Sequence, residues 1–299
     1  MLHFYHSLVV VVTGGNSGIG QKTAQTFALF GAKVILPCRT MDKANKAKEE
    51  IELYCADKGV IATVVPMVMD LNDLTTVQKF STELAGVVDH VDILMCNAGI
   101  MALRERTETV QLFEAQIGVN HLGHFALFRN LIGLLKKAPG GSHVVAVSSI
   151  AHYCAKNTDW IYYPKLELAE YEPWEGYGIA KMSNVLFAKE LDERYAQDGI
   201  RGFSLHPGGI HTNLQSHVRI GTKIFWATVT PFVFKNQDQG AATSVFCAVS
   251  PKAMEHSGEY FSDCNVAKNT YEDWMNDTAL REKLWQTSEQ LTEEFVNSE

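Results

Sequence analysis

Short runs rich in Val, Ile and Leu recur along the chain at Leu8–Thr13, Lys33–Cys38, Ala62–Met69, Val91–Cys96, His143–Ser148 and Gly202–His206. Each reads as a strand with no wet face, because apolar residues run on without polar alternation. Between them lie stretches of helical length or periodicity, Ile19–Phe30, Met41–Asp57, Thr75–Gly86, Thr107–Lys137 and Trp174–Gln197. Strand, helix and strand repeated in this way predict right-handed crossovers and a parallel sheet covered by helices on both faces. Gly118 and Gly123 interrupt the long Thr107–Lys137 stretch and predict a bend or a close approach there. After Gly208 the regularity fades into an apolar stretch, a helix near Gln237–Val249, a short strand Glu259–Ser262 and a closing helix after Thr270.

No linker, repeat or low-complexity tract divides the 299 residues, so the expectation is one α/β domain over 1–299. Its cofactor and catalytic core is expected over about 8–212, with substrate-side and C-terminal elements over about 213–299. Composition narrows the function. A net charge of −8 with no Lys/Arg run argues against nucleic acid, which needs a concentrated basic surface. Cys38, Cys55, Cys96, Cys154, Cys247 and Cys264 are scattered without a Cys-x-x-Cys pair, so they read as reduced cytoplasmic thiols rather than disulfides or zinc ligands. His121 and His124 share a helix face but lack a third ligand nearby, and read as packing residues, with no metal expected. Neither Leu8–Val12 nor Ile224–Phe234 is long enough for a signal segment or a membrane span. Peripheral membrane contact and the oligomeric state stay open.

The first strand runs into Thr13-Gly14-Gly15-Asn16-Ser17-Gly18-Ile19-Gly20, where a helix begins. Glycines there allow a tight turn and a close approach to a pyrophosphate, which then sits on the helix's first N–H groups. Gly14, Asn16, Ser17, Gly18, Ile19 and Gly20 are therefore candidate cofactor residues of a Rossmann-type, doubly wound sheet. An NAD site needs an acid at the end of the second strand to accept from the ribose hydroxyl. Here Arg39 stands there, with no acid before Asp42, and a guanidinium suits the 2′-phosphate of NADP(H).

Tyr177-Gly178-Ile179-Ala180-Lys181 sets a phenol and an ammonium one helical turn apart. A nearby cation lowers a phenol's pKa and equips it for proton transfer. Tyr54 and Lys58 repeat the spacing, but lie on the helix after the second strand, away from the expected crevice.

The Gly-x-x-x-Gly-x-Gly loop and the Tyr-x-x-x-Lys pair, in this order, resemble the short-chain dehydrogenase/reductase family. That resemblance implies further roles. Asp70-Leu71 corresponds to the pair beside the adenine, and Asn97-Ala98-Gly99 to the turn near the adenine ribose, with Cys96 departing from the family's first Asn. Ser149 corresponds to the serine that polarises the substrate carbonyl, with Ser148 as the alternative. Asn120 matches a helix-bend residue whose carbonyl holds a water in the proton relay, and Thr212 a contact to the nicotinamide side. Gly15–Gly20, Cys38-Arg39, Asn120-His121-Leu122-Gly123-His124-Phe125, His206-Pro207-Gly208 and Gln239–Thr243 look like the branch of retinol dehydrogenases and WW-domain-containing oxidoreductases.

The expected activity is hydride transfer between NADPH or NADP and a carbonyl or alcohol substrate. Aromatic residues between Ser149 and Tyr177 (Tyr153, Trp160, Tyr162, Tyr163, Tyr171, Trp174) and the apolar segment Ile220–Phe234 predict a bulky apolar substrate, retinoid-, steroid- or lipid-like. Two other readings share the motifs, an epimerase or dehydratase and an NADP-binding sensor or scaffold. The three-residue gap between Gly14 and Gly18 argues against the first, and the intact Ser149/Tyr177/Lys181 set against the second.

Overall fold

In the computed structural model, described over residues 8–156, 171–209, 235–268 and 273–297, the apolar runs become strands. These are β1 (Val9–Val12), β2 (Lys33–Cys38), β3 (Thr63–Val68), β4 (Ile93–Cys96), β5 (Ser142–Val147), β6 (Ile200–His206), β7 (Tyr260–Ser262) and β8 (Asn265–Val266). They form one sheet in the order β3-β2-β1-β4-β5-β6-β7-β8, parallel throughout except for the antiparallel β7–β8 pair. The sequence had no signal for β8. It follows a tight turn in which Asp263 and Cys264 both adopt positive φ, the conformation that closes a two-residue hairpin.

The helices are α1 (Gly18–Leu29), α2 (Met41–Ala56), α3 (Leu74–Ala85), α4 (Ala115–Ile117), α5 (Gly123–Leu135), α6 (Pro173–Tyr195), α7 (Gln237–Val249), α8 (Pro251–Met254) and α9 (Thr278–Thr292). Alternate residues of β1 serve the two faces of the sheet, as strand geometry requires. Val10 and Val12 join a core with α1, α2 and α7, while Val9 and Val11 join one with α3, α5, α6 and α9. The fold is thus the expected doubly wound α/β sheet. Its order reverses between β1 and β4, which opens a crevice at the carboxyl ends of the strands.

The stretch Thr107–Lys137, expected as one helical segment, is not continuous helix. Its first residues form a hook closed by a Glu108–Glu114 bridge and by Thr109 N–H donating to Phe113 O at 2.8 Å, with Leu112 at φ +65°. Helix begins only where the Glu114 carboxylate accepts from Ile117 N–H at 2.9 Å. A π-helical turn over Gly118–Leu122 then precedes α5. The two glycines meet the expected close approaches. A Cβ on Gly118 would lie 2.3 Å from Thr109 Cγ2, and one on Gly123 2.9 Å from Leu71 O. The closing helix starts later than Thr270, at Thr278, where Asp277 caps Leu280 N–H at 3.0 Å.

α9 seals the α5–α6 face. Trp285 packs on Phe125, Phe128 and Phe187, stacking on the last at 6.0 Å and 20°. Arg281, buried beneath it, reaches Glu190 at 3.2 Å and Glu193 at 2.7 Å from α6. Among the described residues no helix is long and apolar enough to cross a membrane.

Candidate active site

The glycine loop leaves β1 through Thr13 and packs directly on the turn after β4. Gly14 has φ +66°, and a Cβ there would sit 3.0 Å from Ala98 Cα. On Gly20 a Cβ would come within 2.4 Å of both Asn97 Nδ2 and Gly14 O. Only glycine permits this contact between loop and turn. Ser17 is the N-cap of α1, is exposed, and makes no side-chain capping bond, and the first turn holds no acid. The N–H groups of that turn, with half-exposed Asn16 and exposed Ser17 beside them, fit a pyrophosphate.

At the end of β2 Arg39 is exposed and, among the described residues, forms no ion pair. Sequence reasoning missed a second cation, Lys43, whose charge is felt together with that of Arg39 at the Cys38 thiol. Lys43 sits in the first turn of α2, just past the cap that Thr40 makes to its N–H at 3.4 Å. Cations at a helix N-terminus oppose the dipole unless an anion lies there, although Asp42 offsets part of this charge. The signal was legible as Lys four residues after Arg39. Burial pushes the Cys38 thiol up to about 11, so it stays protonated.

Asp70 lies half-buried at the exit of β3 and accepts from Asn72 N–H at 3.0 Å. Leu71, beside it, is buried in the main core with its atoms against Gly123. Asn97 donates from Nδ2 to Thr13 O at 2.8 Å, and the N–H groups of Asn97 and Ala98 donate to Thr13 Oγ1 at 2.9 and 3.0 Å. Cys96, standing where the family resemblance expects Asn, is buried in the core and its thiol pKa is raised by burial.

The structure brings Ser149, Tyr177, Lys181 and Asn120 to the same end of the sheet. Tyr177 is 5% exposed, and its hydroxyl lies near enough to Ser149 for that side chain to favour the ionised phenol. Ser148 is committed elsewhere, donating to Lys181 O at 2.7 Å. Lys181 lies one turn along α6 with Nζ 5.5 Å from the Tyr177 ring, and donates to Val147 O at 2.9 Å. Burial alone brings the ammonium down to about 8, so it remains largely charged at neutral pH. The phenol is nevertheless shifted upward on balance. Burial pushes Tyr177 above the ordinary phenol value, and the nearby Ser149 hydroxyl offsets only part of that.

Asn120 lies fully buried in the π-helical turn, its side chain bonded both ways to Ile100, accepting from N–H at 2.8 Å and donating to O at 2.9 Å. Gly99 lets it approach Lys181, since a Cβ on Gly99 would lie 3.0 Å from Asn120 Oδ1 and 3.6 Å from Lys181 Nζ. His121 and His124 are buried with hydrogen-bond partners, His121 Nε2 meeting Ser288 Oγ at 2.8 Å.

Around Ser149 and Tyr177 several large side chains stay exposed. Ile150 and Tyr153 follow Ser149, and the Trp174 ring lies 6.2 Å from that of Tyr177. Tyr171, expected in the same aromatic wall, is instead tied down, donating to Leu103 O and accepting from Gln116, both at 3.0 Å. Trp160, Tyr162, Tyr163, Thr212 and residues 220–234 lie outside the described residues.

Comparison with known proteins gives the same picture from another side. Residues 8–163 match the family model of the short chain dehydrogenases. The chain is 34% identical over 282 residues to retinol dehydrogenase 11 of Mus musculus, covering 94% of this chain and 84% of that protein. It is 35% identical over 300 residues to the WW domain-containing oxidoreductase of Homo sapiens, covering 97% of this chain and 69% of that one. Among solved structures, an uncharacterized protein from Mycobacterium paratuberculosis is similar with a TM-score of 0.70 and 30% identity, covering 96% of this chain and 93% of that one.

Proposed function

The chain belongs to the short-chain dehydrogenase family of NAD(P)-dependent oxidoreductases, and we propose that it uses NADP(H) to interconvert a bulky apolar carbonyl compound and its alcohol. What carries this reading is the placement of Tyr177 beside Ser149, with Lys181 one turn away on the same helix. When bound, the nicotinamide supplies or takes up the hydride. The protein's part is proton transfer and orientation. In reduction Ser149 holds the substrate oxygen by hydrogen bonding and Tyr177 donates its proton to it. The raised pKa of Tyr177 keeps that proton in place at neutral pH, and the Lys181 ammonium beside it stabilises the phenolate left behind. The Asn120 carbonyl holds the water through which the proton is replaced.

Gly14, Asn16, Ser17, Gly18, Ile19 and Gly20 hold the pyrophosphate, Asp70 with Asn97, Ala98 and Gly99 the adenosine half, and Thr212 the nicotinamide side. The exposed Ile150, Tyr153 and Trp174 support an apolar substrate, as does the likeness to a retinol dehydrogenase. We place the protein, as one domain, in the cytoplasm, a reading supported by six free cysteines.

Cofactor choice rests on Arg39, with Lys43 beside it. A charge-assisted bond to the 2′-phosphate is worth roughly 1.5–3 kcal/mol, or about ten- to hundredfold in affinity. Replacing Arg39→Asp is expected to weaken NADPH by at least that factor while NADH loses little or gains. Fluorescence titration of both proteins with both cofactors measures it, and an unchanged NADPH/NADH ratio would remove Arg39 from the site.

A further inference from the structure

We propose that His124 is a positioning residue that fastens the glycine loop to the element carrying Asn120, acting as an Nδ1–H imidazole with Nε2 as acceptor. The proposal rests on the reading of the glycine loop as cofactor cradle and of Asn120 as relay residue. His124 belongs to neither set of expected site residues.

The assignment follows from hydrogen-bond chemistry. His124 Nδ1 lies 3.0 Å from the backbone carbonyl of Asn120, which can only accept, so Nδ1 carries a proton. The ring is 2% exposed, and burial, aided by the Lys181 charge, brings its pKa down to about 4, so a second proton is absent at neutral pH. Nε2 must therefore accept, and its partner at 2.9 Å is Thr13 Oγ1. A threonine hydroxyl has a single proton. Once it is given to His124, the Met95 carbonyl at 3.1 Å receives none, and both hydroxyl lone pairs are left for the Asn97 and Ala98 N–H groups.

The bonds close a ring. Thr13 at the root of the glycine loop holds the turn after β4. That turn leads through Gly99 to Ile100, whose N–H and carbonyl bind the Asn120 side chain. The Asn120 carbonyl returns to His124, and His124 to Thr13. Within the π-helical turn, where backbone bonding shifts to i→i+5, His124 Nδ1 adds a side-chain donor to the Asn120 carbonyl. The ring thus connects the cofactor loop to the proton pathway near Lys181 Nζ.

Three variants divide the two bonds. His124→Phe keeps the ring volume and removes both. His124→Gln can reach Thr13, and His124→Asn, being shorter, can reach only the Asn120 carbonyl. NADPH affinity by fluorescence titration, kcat and KM across pH, and thermal midpoint are measured for each. His124→Phe should lower kcat roughly ten- to hundredfold, the scale on which remote misplacement acts, with the carbonyl substrate's KM little changed. It should also weaken NADPH by about two- to tenfold, the range for one lost hydrogen bond. Gln should recover NADPH affinity without kcat, and Asn should recover kcat without full affinity. Wild-type behaviour of His124→Phe overturns the proposal. So does a parallel loss in all three variants that follows the thermal midpoint with no recovery by either amide. Should the wild type bind NADPH but turn nothing over, the functional reading fails, while the Phe-versus-Gln affinity contrast still decides the Thr13 half.

Discussion

Tyr177→Phe is expected to lose roughly 10²–10⁴-fold in kcat, the usual range for a positioned general acid, while NADPH binds as before. The ring, carried by α6, is buried, so phenylalanine fills the same space and the loss falls on one hydroxyl. That hydroxyl lies beside Ser149, where a substrate oxygen would be held. The neighbouring Ser148 donates to the helix backbone at Lys181 O. Steady-state kinetics with a cofactor titration on the same preparation check this. A variant within about threefold of wild type would remove Tyr177 from the chemistry and leave the pair Tyr177–Lys181 as packing.

Trp285→Ala is expected to cost the fold roughly 3–5 kcal/mol, the range for truncating a fully buried large aromatic. Trp285 is 2% exposed, between Phe125, Phe128 and Phe187, with the Arg194 guanidinium 4.8 Å from its ring centre. Its removal leaves a cavity under α9 and loosens Arg281 from Glu190 and Glu193, two carboxylates that the same helix neutralises. With an unfolding entropy of about 2 cal/mol/K per residue, the thermal midpoint should fall by roughly 5–8 °C. Because α9 covers the α5–α6 face and not the glycine loop, NADPH affinity well below that midpoint should hold. A fall of less than about 2 °C would contradict the packing described for α9.

What the sequence could convey followed from local chemistry. The strands were legible because a parallel sheet buried on both faces demands uninterrupted apolar runs, and β1, β2, β4 and β5 supply them. The glycine loop was legible because few residues tolerate the φ of Gly14 or the 2.4 Å approach at Gly20. Position along the chain separated Tyr177–Lys181 from Tyr54–Lys58, and the latter pair is a cation–π contact at 3.9 Å between the end of α2 and the turn after it. Illegible features depended on distant partners. The hook before α4 is set by Thr109 bonding to Phe113 and by the left-handed Leu112, neither of which has a periodic signature. His124 looked like packing because its meaning comes from Thr13, 111 residues away. The direction of the Tyr177 shift was misjudged because spacing reveals the lysine but not the depth of burial that outweighs it.

The central claim is that this chain moves hydride between NADP(H) and the carbonyl carbon of an apolar compound, and it is tested most directly by following the transferred atom. The purified protein is incubated with NADPH deuterated at the reactive nicotinamide carbon and with retinal, a steroid ketone and a long-chain aldehyde in turn. Mass spectrometry of the alcohols then reads the outcome. Alcohol product carrying one deuterium at the former carbonyl carbon, formed by wild type and at least about a hundredfold more slowly by Tyr177→Phe, is the result predicted. NADPH that binds tightly and is recovered unoxidised with every carbonyl would contradict the account and leave a cofactor-binding protein without this chemistry.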